Sequence, residues 1–357
     1  MLNIRAGAWL FVLPILVISA CGRQPATLNE QEKHKVNELT LNLKPRCIGR
    51  YVIDMPMDAL VSGGAKVQGV IIEPKAMTHE EYLGEVAGRK VELSGTKSID
   101  AYPFLYADDQ VDGPDTHYFL YRGNVSDGPA NRVFEVYKWD HGYRFKLGIV
   151  GIDFLHPDQT DAPSIKAMAV KNDVPQKTRL IFDIVKRLRW RAEDEIPAEQ
   201  GLCFLGAFLP GKARAEEYAW AQYVLIGNRD VSIGFDSDSS IQEPNTLLQR
   251  GDQIDAGLKS IGGGTIRKGK VALPGIDAEE WLVSDKSDRG VPRSTLTLEA
   301  NSMTSSVEAP LLTLDFQTGS PNAFTDSPVD AASMSEGEAV ALWDVISRSL
   351  RPRPNGF

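Results

Sequence analysis

The chain has 357 residues, 42% of them apolar, with 39 Lys+Arg against 48 Asp+Glu and a net charge of −9. That is material for two cores of ordinary domain size. The acidic balance argues against a phosphate-tracking protein, and no nucleic acid partner is expected.

Residues 1–20 read as a signal peptide. Arg5 supplies a weak positive start, residues 6–17 form an apolar run of h-region length that is short for a membrane span, and Ile18-Ser19-Ala20 places small residues before Cys21. This pattern resembles the bacterial lipobox, which implies cleavage before Cys21 and lipid attachment at its thiol and new amino terminus. Gly22 next to it, in place of Asp, favours the outer membrane. An ordinary secretory signal ending near a cysteine is the alternative, and either way the mature chain faces an oxidising periplasm. Residues 21–43 include Gln24, Pro25, Asn29, Glu30, Gln31, Glu32 and Lys33, polar enough to serve as a flexible tether.

A first domain is expected over 44–192. Residues 47–55 read as a strand with Tyr51, Ile53 and Met55 on one face, stopping at Pro56. A second strand spans 67–72. Thr78 and Glu81 then form a capping-box pattern ahead of a helix carrying Tyr82, Leu83, Val86 and Ala87 on one side. Strands at 103–106, 116–121, 133–139 and 143–150 follow as an antiparallel meander, the last two joined by Asp140-His141-Gly142. A helix with a stripe of Leu180, Ile181, Ile184, Val185 and Leu188 closes the domain. Lys186, Arg187, Arg189 and Arg191 make the one basic stripe, read as the solvated face and dipole-matched end of that helix.

Residues 193–201, acidic and interrupted by Pro197, mark a boundary. The second domain, 201–352, repeats the order. Residues 203–209 resume as a strand, 218–226 and 231–235 make a hairpin, and 246–260 carry Leu247, Leu248, Ile254 and Leu258 on a helical face. Strands at 270–273, 280–284, 294–300 and 311–317 precede a final helix with a Ser335–Glu338 capping box. The echo is closest there: Phe182-Asp183-Ile184-Val185 with Arg187 corresponds to Trp343-Asp344-Val345-Ile346 with Arg348. The fold class expected is α+β: two tandem similar domains, each an antiparallel sheet packed with two helices, separated by a cleft.

If Cys21 carries lipid, Cys47 and Cys203 remain, at equivalent points of the two repeats and in an oxidising compartment. A disulfide between them is the favoured reading; two inert thiols buried in separate cores is the alternative. The bridge would close a loop of roughly 155 residues and remove on the order of 4 to 5 kcal/mol of unfolded-chain entropy.

The residues supply little chemistry. Gly123-Asn124-Val125-Ser126-Asp127-Gly128 has the wrong spacing for a nucleophile elbow. His79-Glu80-Glu81 has Leu83 where a zinc helix needs its second histidine. The five histidines, His34, His79, His117, His141 and His156, are scattered. The acidic turn of Asp108, Asp109, Asp112 and Asp115 lacks the closing Glu of a calcium loop and carries Pro114 in a liganding place. Asp236-Ser237-Asp238 has oxygen ligands without a frame, and Gly262-Gly263-Gly264 reads as a helix exit. No catalytic residue, metal or cofactor is assigned, and an enzyme is not expected.

Lipobox, spacer, a Cys47-x-Gly49-Arg50-Tyr51 strand ending in Asp54-x-Pro56, and a second domain opening at Gly201-x-Cys203-Phe204 together resemble the immunity lipoproteins that accompany type VI secretion lipase effectors. The resemblance spans Cys47 to Arg351. It implies a two-domain periplasmic inhibitor, held to the membrane by its lipid, whose partner is a phospholipase effector that it keeps from membrane lipid. It brings no catalytic residues. Cys47, Gly49, Arg50, Asp54 and Pro56 look structural, with Arg50 and Asp54, opposite Tyr51, placed to pair. Partner-binding residues are not assigned; Tyr102, Phe104, Trp220 and Phe324 are candidate aromatic anchors or equally core. A non-catalytic envelope-assembly scaffold is the second reading and a hydrolase the third.

Overall fold

The computed structural model describes residues 27–155, 163–325 and 328–357. The signal segment, Cys21 and His156 lie outside them. The described chain opens with α1 (Glu30–Leu41) and the hairpin β1 (Leu43–Ile48) and β2 (Tyr51–Pro56). A second hairpin, β3 (Ala59–Val67) and β4 (Val70–Ala76), leads to α2 (His79–Gly95). The meander β5 (Leu105–Gln110), β6 (Thr116–Tyr121), β7 (Asn131–Asp140) and β8 (Tyr143–Ile152) follows, then the single turn α3 (Pro163–Lys166), α4 (Val174–Arg187) and β9 (Arg189–Trp190). The second half repeats this order: hairpin β10 (Gly201–Phe204) and β11 (Ala207–Pro210), hairpin β12 (Glu217–Leu225) and β13 (Asn228–Asp238), then α5 (Gly251–Ser260). The meander β14 (Gly264–Leu273), β15 (Ile276–Lys286), β16 (Pro292–Ala300) and β17 (Leu311–Thr318) precedes α6 (Glu336–Arg348) and β18 (Arg351–Pro352). The fold is α+β.

The two halves are joined through one sheet. β3 of the first half pairs with β12 of the second along nine residues, from Val67 opposite Glu217 to Ala59 opposite Leu225. One antiparallel sheet of twelve strands results, in the order β14-β15-β16-β17-β13-β12-β3-β4-β8-β7-β6-β5. Reading outward from its middle, each side presents its second hairpin and then its meander from last strand to first, so the halves are related by a pseudo-twofold axis near Gly63 and Ala221. A single apolar core crosses that axis. It joins Ile181, Ile184 and Val185 of α4 to Leu342, Trp343 and Ile346 of α6 through Val136, Leu147, Leu314 and Phe316 of the sheet.

The short strands exchange across the axis. β18, from the end of the second half, pairs with β2 of the first, and β9, from the end of the first, pairs with β11 of the second. Each half therefore completes the other's first hairpin.

Several expectations are corrected. The strand expected over 67–72 is interrupted at its start: Gln68 (φ 51°) and Gly69 (φ 86°) reverse the chain, so Val67 ends β3 and Val70–Ile72 open β4. Its missed partner, β3, has Ser62-Gly63-Gly64 where apolar side chains would announce a strand. Those glycines let neighbouring strands close in: a Cβ on Gly63 would sit 2.7 Å from Trp220 O, and one on Gly64 2.8 Å from Ile72 O. Within the expected tether, residues 30–41 are a helix with an Asn29–Glu32 capping box. It docks on α6 through Lys35 to Glu338 (3.0 Å) and Ser335 to Glu32 (2.8 Å), with Val36 buried beneath. β5 includes Asp108 and Asp109, expected in a turn, and the helix expected from 246 begins at Gly251. Two helices in each half is also too simple, since α1 and α3 add to α2 and α4 in the first.

Candidate functional site

The sequence motifs gather at the pseudo-twofold axis. Cys47 and Cys203 are bonded, with Cα atoms 5.6 Å apart. Beside them Gly49 and Cys203 exchange backbone hydrogen bonds, 2.8 Å each way. Gly49 (φ 61°) and Gly206 (φ 64°) occupy the tight turns of the two hairpins, the first at the leading and the second at the trailing turn position. Arg50 does not pair with Asp54. Its guanidinium grips Glu217 at the start of β12 by two 2.8 Å bonds, and both groups are buried. Asp54 instead accepts from Arg351 on the exchanged strand β18 (3.2 Å). Pro56 ends β2.

Two further arginines complete this layer, and the sequence reading mistook one and missed the other. Arg191, expected on a solvated face, is buried, and it donates to Cys47 O (3.3 Å) and Phe204 O (3.2 Å). Its counterpart Arg353 is likewise buried and donates to Glu199 O (2.7 Å) and Gly201 O (2.6 Å). Burial among carbonyls without a carboxylate partner pushes both guanidinium pKa values down, Arg353 to about 10. Their spacing, Arg189-Trp190-Arg191 against Arg351-Pro352-Arg353, was the signal. Apart from Arg353 Nε, which is buried without a partner among the described residues, the named groups of this layer are paired with one another or with backbone carbonyls, so the layer holds the halves together.

The opposite face of the sheet is different. On β12, Ala219, Ala221 and Tyr223 point into the core, so Tyr218, Trp220 and Gln222 point the other way, as strand alternation requires. On that face α2 covers only the strands at one end, packing Tyr82 and Leu93 on Phe119, Tyr121 and Tyr137. At the other end α5 contributes no buried residue, and Gly251 approaches the ring of Trp281. Between these helices the central strands are open. A depression of about 240 Å³ lies there, bounded by Trp220, Gln222, Gly234, Asp236, Asp315 and Gln317.

The electrostatics of the open face are uneven. Asp236 accepts from Tyr218 Oη (3.1 Å) and Asp315 from Thr297 Oγ1 (2.6 Å). Burial pushes the Asp236 carboxyl up to about 6, and the neighbouring charges of Asp315 and Asp238 add to the shift. Burial raises Asp315 as well. Across the axis, Lys146 lies 3.7 Å from Glu135 and Arg144 pairs with Glu85 (3.1 Å). Ile71 and Val150, both more than half exposed, add apolar surface on that side.

Of the aromatic candidates, Phe104 belongs to the core under α2, Tyr102 and Phe324 are half-buried, and Trp220 lies on the open face. The acidic turn is internally paired: Asp108 bridges Lys90 (2.7 Å) and His117, and Asp115 meets His79 (2.8 Å). Among the described residues no group of three His, Cys, Asp or Glu is placed to hold a metal, and no helix is long and apolar enough to cross a membrane.

Fold and surface together define a duplicated α+β scaffold with a sealed, disulfide-bridged layer on one side and a wide open sheet face on the other. The chain belongs to the two-domain family of type VI secretion lipase-immunity proteins. Residues 44–191 match the N-terminal domain and residues 195–355 the C-terminal domain of Tle cognate immunity protein 4. The immunity protein in the crystal structure of the Tle4-Tli4 complex is similar over 89% of this chain and 99% of its own, with 23% identity and a TM-score of 0.69. Apo TplEi, an immunity protein of the type VI system of Pseudomonas aeruginosa, is similar over 88% and 98%, with 23% identity and a TM-score of 0.67. No curated protein sequence matches the chain.

Proposed function

We propose that this chain is an immunity lipoprotein of the periplasm that binds a type VI phospholipase effector and keeps it from membrane lipid, without performing chemistry itself. The observation that carries this reading is the match of both halves to the two domains of a lipase-immunity family. A binding role also suits the molecule: its buried polar groups at the axis are committed to holding the halves together, whereas its middle strands leave a broad surface free. The Cys47–Cys203 bridge fits an oxidising compartment.

In this reading, Cys21 carries the lipid that anchors the protein, to the outer membrane given Gly22. Seven residues, and so eight backbone steps, separate Cys21 from Asn29, the cap of α1. Fully extended they reach about 28 Å. α1 rests on α6, on the core side of the sheet and away from the open face. The effector then meets the open face, where Trp220 and the exposed apolar residues supply the kind of buried centre that tight association needs.

The experiment is co-expression in the periplasm with the lipase effector encoded beside this chain. Cells making the lipase alone are expected to lyse and cells making both to survive. Lysis that proceeds unabated in the presence of stable, exported immunity protein sinks the reading.

A further inference from the structure

Sheet register makes the open face comparable with itself. In the first half Ile72 of β4 pairs with Leu147 of β8, and in the second Ile233 of β13 pairs with Phe316 of β17. The pair Glu73–Lys146 therefore corresponds to Gly234–Asp315, and Lys75–Arg144 to Asp236–Thr313. Two equivalent places have changed sign: Lys75 on one side of the axis corresponds to Asp236 on the other, and Lys146 to Asp315.

The two sides also differ in how their charges are met. Arg144 and Lys146 have carboxylates nearby, Glu85 and Glu135. Asp236 and Asp315 have only hydroxyl donors, and no cation among the described residues lies within ion-pair distance of either. Glu299 continues the same row, since it faces Thr313, which in turn faces Asp236. Arg250 bonds one of its oxygens, while Oε1 is buried without a partner among the described residues, in a residue 7% exposed overall. Partly buried carboxylates without a cation are costly. Here they line a depression walled by the Trp220 ring, which attracts cations over its face.

The first side offers a different contact. Ile71 and Val150 lie on neighbouring strands of the open face, 51% and 55% exposed. From β17 to β8 are five strand intervals, about 24 Å at the usual inter-strand spacing.

We infer that the open face receives its lipase partner in one orientation, with a lysine or arginine of the lipase entering the depression between Trp220 and Asp236/Asp315 and an apolar side chain, up to about 24 Å away across the strands, covering Ile71 and Val150. This rests on the immunity reading and assigns its contact chemistry. The near-symmetric body thus presents an asymmetric surface, which is what an asymmetric partner requires for a single binding mode.

The test measures binding of the purified lipase encoded beside this chain to the oxidised protein and to two variants, Asp236→Asn/Asp315→Asn and Ile71→Ser/Val150→Ser, by calorimetry and by association and dissociation rates at low and high salt. The aspartate variant is expected to bind at least about tenfold more weakly and to lose much of the salt dependence of association. The serine variant is expected to dissociate faster with its salt dependence intact. A structural role for the aspartates is separated by the thermal midpoint of the free protein, expected to be unchanged or higher in the aspartate variant. If both variants bind within twofold of the parent, the inference is overturned while the immunity reading stands. If the parent itself does not bind the lipase, both fall.

Discussion

Opening the Cys47–Cys203 bridge tests how much of the molecule's stability comes from joining its halves covalently. The bonded residues are 156 apart in sequence. In the chain-entropy model a loop of that length removes about 17 cal/mol/K from the unfolded chain, or about 5 kcal/mol at 25 °C. At roughly 2–4 °C per kcal/mol for a large domain, a loss of that size lowers the thermal midpoint by on the order of 10 °C or more. The bridge is buried with Phe208 in its own small cluster, and the flanking Gly49–Cys203 hydrogen bonds align the hairpins without it. Native contacts should therefore survive reduction and the effect should fall on the unfolded state. The assay is urea unfolding of three samples: the oxidised parent, the parent reduced under denaturing conditions and refolded with thiols kept reduced, and Cys47→Ser/Cys203→Ser. The reduced parent separates cross-link loss from the effect of buried serines. Oxidised and reduced parents that unfold within about 1 kcal/mol of each other would refute the argument, and would mean that the continuous sheet already restrains the halves as much as the bridge does.

Three other outcomes are expected. Asp236 has a folded pKa of about 6 against an ordinary 3.8, with burial as the main cause and Asp315 and Asp238 adding to it against the hydrogen bond from Tyr218. Its contribution is thus fully favourable below about pH 4 and is lost as pH rises through about 6, so Asp236→Asn should stabilise the free protein above pH 6 by up to about 2–3 kcal/mol and leave it little changed at pH 4; thermal midpoints at pH 4 and 7.5 decide this, and equal effects at both would count against it. Glu217→Ala strands the buried Arg50 guanidinium and should cost about 3–5 kcal/mol, whereas Asp54→Ala, removing the partly exposed Arg351 pair, should cost under about 1 kcal/mol in the same denaturation assay. Gly64→Val places a branched side chain within 2.8 Å of Ile72 O at the middle of the sheet and should lower stability by about 2 kcal/mol or more or abolish folding, while the same change at exposed Gly88 of α2, where a Cβ meets nothing within 4 Å, should stay within about 1 kcal/mol; hydrogen exchange would show the loss centred on β3 and β12.

Local signals in the sequence were reliable where a short stretch carries its own physics. The Thr78–Glu81 and Ser335–Glu338 boxes both cap their helices, and the echo between the closing helices is real down to its side chains: Asp183 pairs with Arg187 at 2.7 Å, and Asp344 lies 3.8 Å from Arg348. Cysteine count and repeat position sufficed for the disulfide. What escaped was whatever depends on distant partners. β3 has no apolar pattern because its centre needs glycine to admit two neighbours closely, so the strand that fuses the halves was the least visible. The exchange of β9 and β18 cannot be read from dipeptides such as Arg189-Trp190 and Arg351-Pro352, whose ladder partners are in the other half. Arg191 and Arg353 look solvated in sequence, and only the carbonyl-lined hairpin turns explain their burial.

Duplication and exchange together account for the division of labour between the two faces. Once each half supplies the strand that completes the other's hairpin, residues around the axis are constrained in pairs: Cys47 with Cys203, Arg191 with Arg353. A change on one side lacks its complement on the other, which holds those pairs together beside the one-sided Arg50–Glu217 pair. The open face carries no such constraint, because its side chains project from strands whose register is already fixed by the core beneath. Lys75 and Asp236, or Lys146 and Asp315, can differ in sign without disturbing Ile72, Ile233, Leu147 or Phe316 on the other face. Stability is thereby assigned to one side of the sheet, and the side chains on the other are free to carry the asymmetry that the proposed interface requires.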